Sequence, residues 1–136
     1  MTSLNIRNSA DDGWITIDAD PSYHMFTWFI ADNLEVANHP LELENIFDYD
    51  LLIVKLKARL GTVPTGSNLI IEPKIEDVGF LTSDYVVVDG NNGVLMSDDD
   101  GYATLAQGEV LTLGVTQIGS STPGADLTFQ ILAKKI

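Results

Sequence analysis

The sequence predicts an all-β protein, an antiparallel, jelly-roll-like β-sandwich in one domain over residues 14–136, preceded by a polar arm over residues 1–13. Three observations carry that expectation. Eight or more short apolar runs are separated by Gly, Asn, Asp and Pro clusters with no helical period. The run 51–60 reads as a strand with an apolar face, Leu52 to Leu60 at every second position, and the charged residues Lys55, Lys57 and Arg59 on the other. A ten-residue pattern also occurs twice, as Leu60-Gly61-x-x-x-x-Gly66-Ser67-Asn68-Leu69 and Ile118-Gly119-x-x-x-x-Gly124-Ala125-Asp126-Leu127.

Taken in chain order, residues 1–13 are polar and end in Asp11-Asp12-Gly13, which reads as an arm that orders on a partner. Trp14-Ile15-Thr16-Ile17 opens the first short strand. The aromatic run Tyr23 to Ile30 suits a second, and 34–37 and 41–43 offer two more around Asn38-His39-Pro40. Strand 51–60 places Leu52, Val54, Leu56, Ala58 and Leu60 on one face and the cationic ladder Lys55, Lys57, Arg59 on the other. In strand 69–75, Pro73 lacks a ladder donor, which predicts an edge strand or a bulge. Short strands and turns fill 77–108. The last two strands, 110–118 and 126–133, bury Leu111, Leu113 and Val115, then Leu127, Phe129 and Ile131.

Each copy of the repeated pattern joins two β-like runs. Glycine supplies positive φ and Pro64 and Pro123 stiffen the reversal between the glycines, so both loops read as hairpins. The spacing of Gly61 and Gly66 mimics a phosphate-binding loop. The lysine that must follow the second glycine is absent and no helix follows, so that chemistry fails.

Composition excludes several functional classes. The chain has 136 residues, 45% of them hydrophobic, enough for a core without a staple. It has no cysteine, hence no disulfide, thiol nucleophile or thiolate metal site. Its longest largely apolar run, Met25 to Ala31, is far short of the roughly 20 residues that cross a bilayer, and the N-terminus lacks the basic and apolar regions of a secretory signal. A soluble protein without a membrane partner is expected. The net charge of −13 repels phosphate backbones, so no nucleic-acid partner is expected either. Residues 1–50 hold ten acidic side chains against one basic, Arg7, while 51–77 hold four of the seven basic ones.

Candidate chemistry is sparse. His24 and His39 have no spaced partner for zinc, and no serine sits in a nucleophile elbow, so no enzyme activity and no cofactor are expected. Asp89, Asn91 and the acidic loop 98–100 offer oxygen ligands, but Gly93 and Val94 fall where a calcium loop needs a ligand and a glycine; a solvated turn is the simpler reading. Trp14, Tyr23, Phe26, Trp28 and Phe29 suit either a sugar-stacking platform or a core, and Phe26 with Trp28 on one face favours the core.

The stretch from Leu52 to Ile136 resembles β-sandwich domains of tailed-bacteriophage virion proteins. The likeness rests on Lys57-Ala58-Arg59-Leu60-Gly61-Thr62-Val63-Pro64-Thr65-Gly66-Ser67-Asn68-Leu69, on Ala106-Gln107-Gly108-Glu109-Val110-Leu111-Thr112, and on Gly119 to Leu127. It departs at 75–80, where a short lysine-asparagine-glycine turn is usual. The resemblance implies a capsid decoration (cement) protein on the outer surface of the virion. Such a protein is made in the host cytoplasm, partners the major capsid protein and forms a homo-trimer; the alternative is a tail or head fibre domain that binds a receptor or glycan. It brings no catalytic residues. The candidate interface residues are Arg7, Lys55, Lys57, Arg59, Pro64 and Pro123.

Overall fold

The structure, a computed structural model, describes the backbone of residues 4–7 and 14–17 and all of residues 23–136. Strands β1 (Leu4–Arg7) and β2 (Trp14–Ile17) pair antiparallel in a two-stranded sheet of their own. The arm predicted over 1–13 therefore contains a strand, and Trp14–Ile17 pairs with it rather than with either large sheet.

The remaining strands are β3 (Tyr23–Asn33), β4 (Ala37–Asn38), β5 (Leu43–Glu44), β6 (Leu51–Thr62), β7 (Leu69–Ile75), β8 (Val78–Gly79), β9 (Tyr85–Val87), β10 (Leu95–Ser97), β11 (Ala103–Leu105), β12 (Val110–Gln117) and β13 (Ala125–Lys135). They form two antiparallel sheets. In one, β6, β13 and β3 run side by side, with β10 and β11 sharing the outer lane beside β6. In the other, β12 and β7 are central, with β4 and β5 flanking β12, and β8 and β9 flanking β7. The predicted β-sandwich is this pair of sheets.

Alternation puts the apolar side chains of both sheets into one core, as a half-buried strand requires. Leu56, Ala58, Leu60, Leu127, Phe129, Ile131 and Trp28 face Leu69, Ile71, Tyr85, Val87, Leu111, Leu113 and Val115. Aromatics occupy its centre: Tyr85 meets Phe129 edge-on at 5.2 Å between ring centroids, and Trp28 tilts against Phe129 at 6.3 Å. Such pairs contribute about 0.5–1.5 kcal/mol each beyond area burial.

The two glycine-bracketed loops are sheet-to-sheet arches, not hairpins. One carries the chain from β6 to β7 and the other from β12 to β13, in opposite directions between the sheets. The arches then pair with each other, β6 with β13 and β7 with β12, so the repeat builds the central lanes of both layers. Gly and Pro set a chain reversal without choosing its span. A six-residue loop reaches either the ~4.8 Å of a neighbouring strand or the ~10 Å of a facing sheet. The choice falls to the core, because the apolar faces of 51–60 and 69–75 are buried only when they oppose each other.

A second departure lies in β6. Ladder register with β13 shifts between Leu132 and Ala133, which leaves Val54 as an extra residue. Leu51 and Ile53 point inward before this bulge, Val54, Leu56, Ala58 and Leu60 after it, and Leu52 turns to the outer face. The run Leu51-Leu52-Ile53-Val54 is apolar throughout, so it holds no alternation from which to read the phase.

Pro73 is accommodated without a lost ladder bond. β9 covers Leu69 to Ile71 and β8 covers Lys74 and Ile75, so Pro73 falls in the gap between them, opposite Leu113 of β12. Residues 39–50 line the open side between β3 and β12. The indole of Trp28 donates to the Leu41 carbonyl at 3.1 Å, His24 hydrogen-bonds Tyr49 at 2.6 Å, and Phe47 stacks on His24 at 3.9 Å.

Candidate functional site: the outer face of the β3–β13–β6 sheet

Because inward and outward positions alternate, the burial of Leu127, Phe129, Ile131 and Ala133 sends Thr128, Gln130, Leu132 and Lys134 outward. Ladder register then aligns them in rows. Phe29, Thr128 and Arg59 form one row, and Thr27, Gln130, Lys57 and Leu95 the next. Met25, Leu132, Lys55 and Ser97 form a third, and Tyr23, Lys134, Leu52 and Thr104 the last.

This face holds four of the seven basic residues, Lys55, Lys57, Arg59 and Lys134. No Asp or Glu occupies an outward position of these rows in a chain of net charge −13. Among the described residues carboxylates appear only at its ends, as Asp32 and Asp126 at one and the loop 98–100 at the other, where the Lys134 ammonium donates to the Asp99 carbonyl at 3.4 Å. Among the described residues the ion pair within 4 Å is Lys74 with Glu72, on the opposite sheet. Among the described residues, then, no carboxylate pairs with the cationic ladder, although such pairing is the ordinary role of charges on a solvated strand.

Beside the cations lie large apolar groups. Met25 and Phe29 are 57% and 58% exposed, Leu95 53% and Tyr23 48%. Met25, Leu95 and Leu132 join Lys55, Lys57 and Gln130 around a shallow groove of about 130 Å³, and the Gln130 amide donates to the Met25 sulfur at 3.1 Å. The exposed apolar patch with an adjoining charged rim has the make-up of a protein-contact surface.

The other sequence candidates lie elsewhere. Pro64 is buried, and its carbonyl accepts from Gly90 at 2.8 Å. Pro123 is half-buried. The arches close on each other: Thr65 donates to the Thr122 carbonyl at 2.9 Å, the Ser67 hydroxyl to the Ile118 carbonyl at 2.8 Å, and Gly66 to the Asp89 carboxylate at 3.1 Å. The prolines brace this junction instead of forming tips in solvent. Arg7 lies on β1, at register with Trp14.

Asp89, one of the possible calcium ligands, is occupied as the acceptor of Gly66. In the loop 97–101 the Asp98 carboxylate accepts from Asp100 at 3.0 Å in a local turn. Among the described residues no group of three or more His, Cys, Asp or Glu is gathered to hold a metal. The aromatic run divides by face: Trp28 is fully buried and Phe26 half-buried, while Tyr23 and Phe29 join the outer surface. The sequence named the cations of this face; the apolar half was hidden because β3 is apolar on both sides.

No family model matches the chain, and no curated protein matches it. Among solved structures, it is similar to a chain in "Acidic stable capsid structure of Helicobacter pylori bacteriophage KHP30", with a TM-score of 0.51 and 10% identity over 98% of this chain and 93% of that one. At that identity the likeness is one of fold, along nearly the whole of both chains.

Proposed function

We propose that this chain is a structural protein of a phage virion, a decoration protein that binds the outer surface of the capsid and stabilises the shell. The observation that carries the reading is the outer face of the β3–β13–β6 sheet, which presents cations and exposed apolar side chains with, among the described residues, carboxylates only at its ends. The shared fold with a chain of a phage capsid structure supports the setting.

The partner in this reading is the major capsid protein. Burial of Met25, Phe29 and Leu95 supplies apolar contact, and Lys55, Lys57 and Arg59 meet acidic groups on the shell, giving register and faster encounter. Quantifying the protein on a stained gel of purified virions tests the role. Hundreds of copies per particle are expected, while a handful of copies points to a fibre component and contradicts decoration of the shell.

A further inference from the structure

The end strand of the same sheet points to a second interaction, independent of any capsid. β3 lies at the edge of its sheet and, among the described residues, no backbone group pairs with its far side. Exposed edges are templates for further pairing, and natural proteins blunt them with short strands, lysine, proline or a bulge. β3 has none of these over Tyr23 to Ala31. The strand is 11 residues long, this stretch carries no charge and no proline, and the bulge against β13 comes only after Ile30.

We propose that β3 pairs antiparallel with β3 of a second copy of this chain, about a two-fold axis at Thr27. The sequence is self-complementary in that register. Phe29 of each copy stands opposite Met25 of the other, and each Tyr23 opposite the small Ala31. Cross-strand aromatic and thioether neighbours of this kind are favourable. The four exposed residues Tyr23, Met25, Thr27 and Phe29 become the midline of a doubled sheet.

Charge selects a second copy over a charged partner strand. The edge itself is neutral, so two copies meet there without like charges in contact. Their Lys57 side chains lie five strand spacings apart, about 24 Å at ~4.8 Å per spacing. That exceeds the ~8 Å Debye length at physiological salt. The cationic rows stay exposed on both wings of the doubled sheet, so self-association leaves them free.

The chain has no cysteine, which allows a clean test. Thr27→Cys is treated with a short bismaleimide, beside Val78→Cys as an exposed control on the other sheet. Thr27→Cys is expected to give a covalent dimer and Val78→Cys a monomer. By light scattering the wild type is expected at twice 14.8 kDa, and Thr27→Lys, which sets two ammonium groups at the axis, at 14.8 kDa with an unchanged circular dichroism spectrum. A monomeric or trimeric wild type, equal cross-linking of both cysteine variants, or a Thr27→Lys chain as dimeric as wild type overturns the proposal.

Discussion

The hydroxyl of Tyr85, on β9 of one sheet, accepts a hydrogen bond from the backbone N–H of Ala58, on β6 of the other, at 2.7 Å. It also donates to the Val94 carbonyl, in the segment that leads into β10. One buried phenol therefore ties the β9 edge of its own sheet across the core to the lane boundary between β6 and β10. Tyr85→Phe leaves a buried N–H and carbonyl without this partner and is expected to lower stability by about 1–3 kcal/mol in chemical denaturation. A loss below measurement would show that water or the residual Ala58–Val94 contact replaces it.

The same residue sets an alkaline limit. Burial pushes the Tyr85 phenol up from 10.0 to about 12, against the lowering effect of its backbone hydrogen bonds. The folded state thus holds this proton more tightly than the unfolded chain does. Its contribution is complete below pH ~10 and is lost as pH rises from about 10 towards 12. Wild type is expected to lose stability across that window more steeply than Tyr85→Phe, which has no such proton; parallel curves would contradict the assignment.

Equivalent glycines of the two arches are not equally replaceable. A Cβ on Gly119 would stand 1.9 Å from the Thr122 carbonyl oxygen and 2.8 Å from the backbone of Thr65. On Gly61 it would meet only the side chain of Asp126, at 3.0 Å. Gly119→Ala must therefore part the junction of the arches and is expected to cost about 1–3 kcal/mol, with Gly61→Ala costing distinctly less. Thermal melts of the two variants compare them directly.

Asn45 is the polar residue set deepest in the described structure, at 1% exposure. Its amide donates to the Tyr49 carbonyl at 3.1 Å and the Leu105 carbonyl at 3.0 Å, and its side-chain oxygen accepts from Phe47 at 3.0 Å. Asn45→Leu removes three hydrogen bonds and buries the freed groups. A loss of about 2–4 kcal/mol is expected, and Asn45→Asp, which cannot donate to either carbonyl, is expected to fold poorly as well.

Reversal of the ladder separates stability from binding. Lys55, Lys57 and Arg59 point outward and pair with no described carboxylate, so Lys55→Glu, Lys57→Glu and Arg59→Glu together are expected to leave the melting temperature near that of wild type. The same variant is expected to lose co-sedimentation with capsids stripped of the protein. Binding by wild type should also weaken as salt is raised.

Much of the sandwich was legible because its strands alternate. Leu111, Leu113, Val115, Leu127, Phe129 and Ile131 are inward as their spacing requires, and Trp28 is core. What escaped was set by contacts between distant segments. The layer each arch spans depends on which faces need covering, and the phase of Leu51 to Val54 is chosen by a bulge against β13. The outer face was half readable. Its cations stood out against apolar neighbours, whereas Met25 and Phe29 look no different in sequence from the Trp28 that separates the two sides of β3.

The most direct test of the decoration role is the thermal rupture of particles, followed by release of their genome, with and without this protein. Particles that lack it are expected to rupture at a lower temperature, and added wild-type protein, but not the ladder-reversed variant, is expected to restore the original one. Equal rupture temperatures with and without the protein would contradict the account.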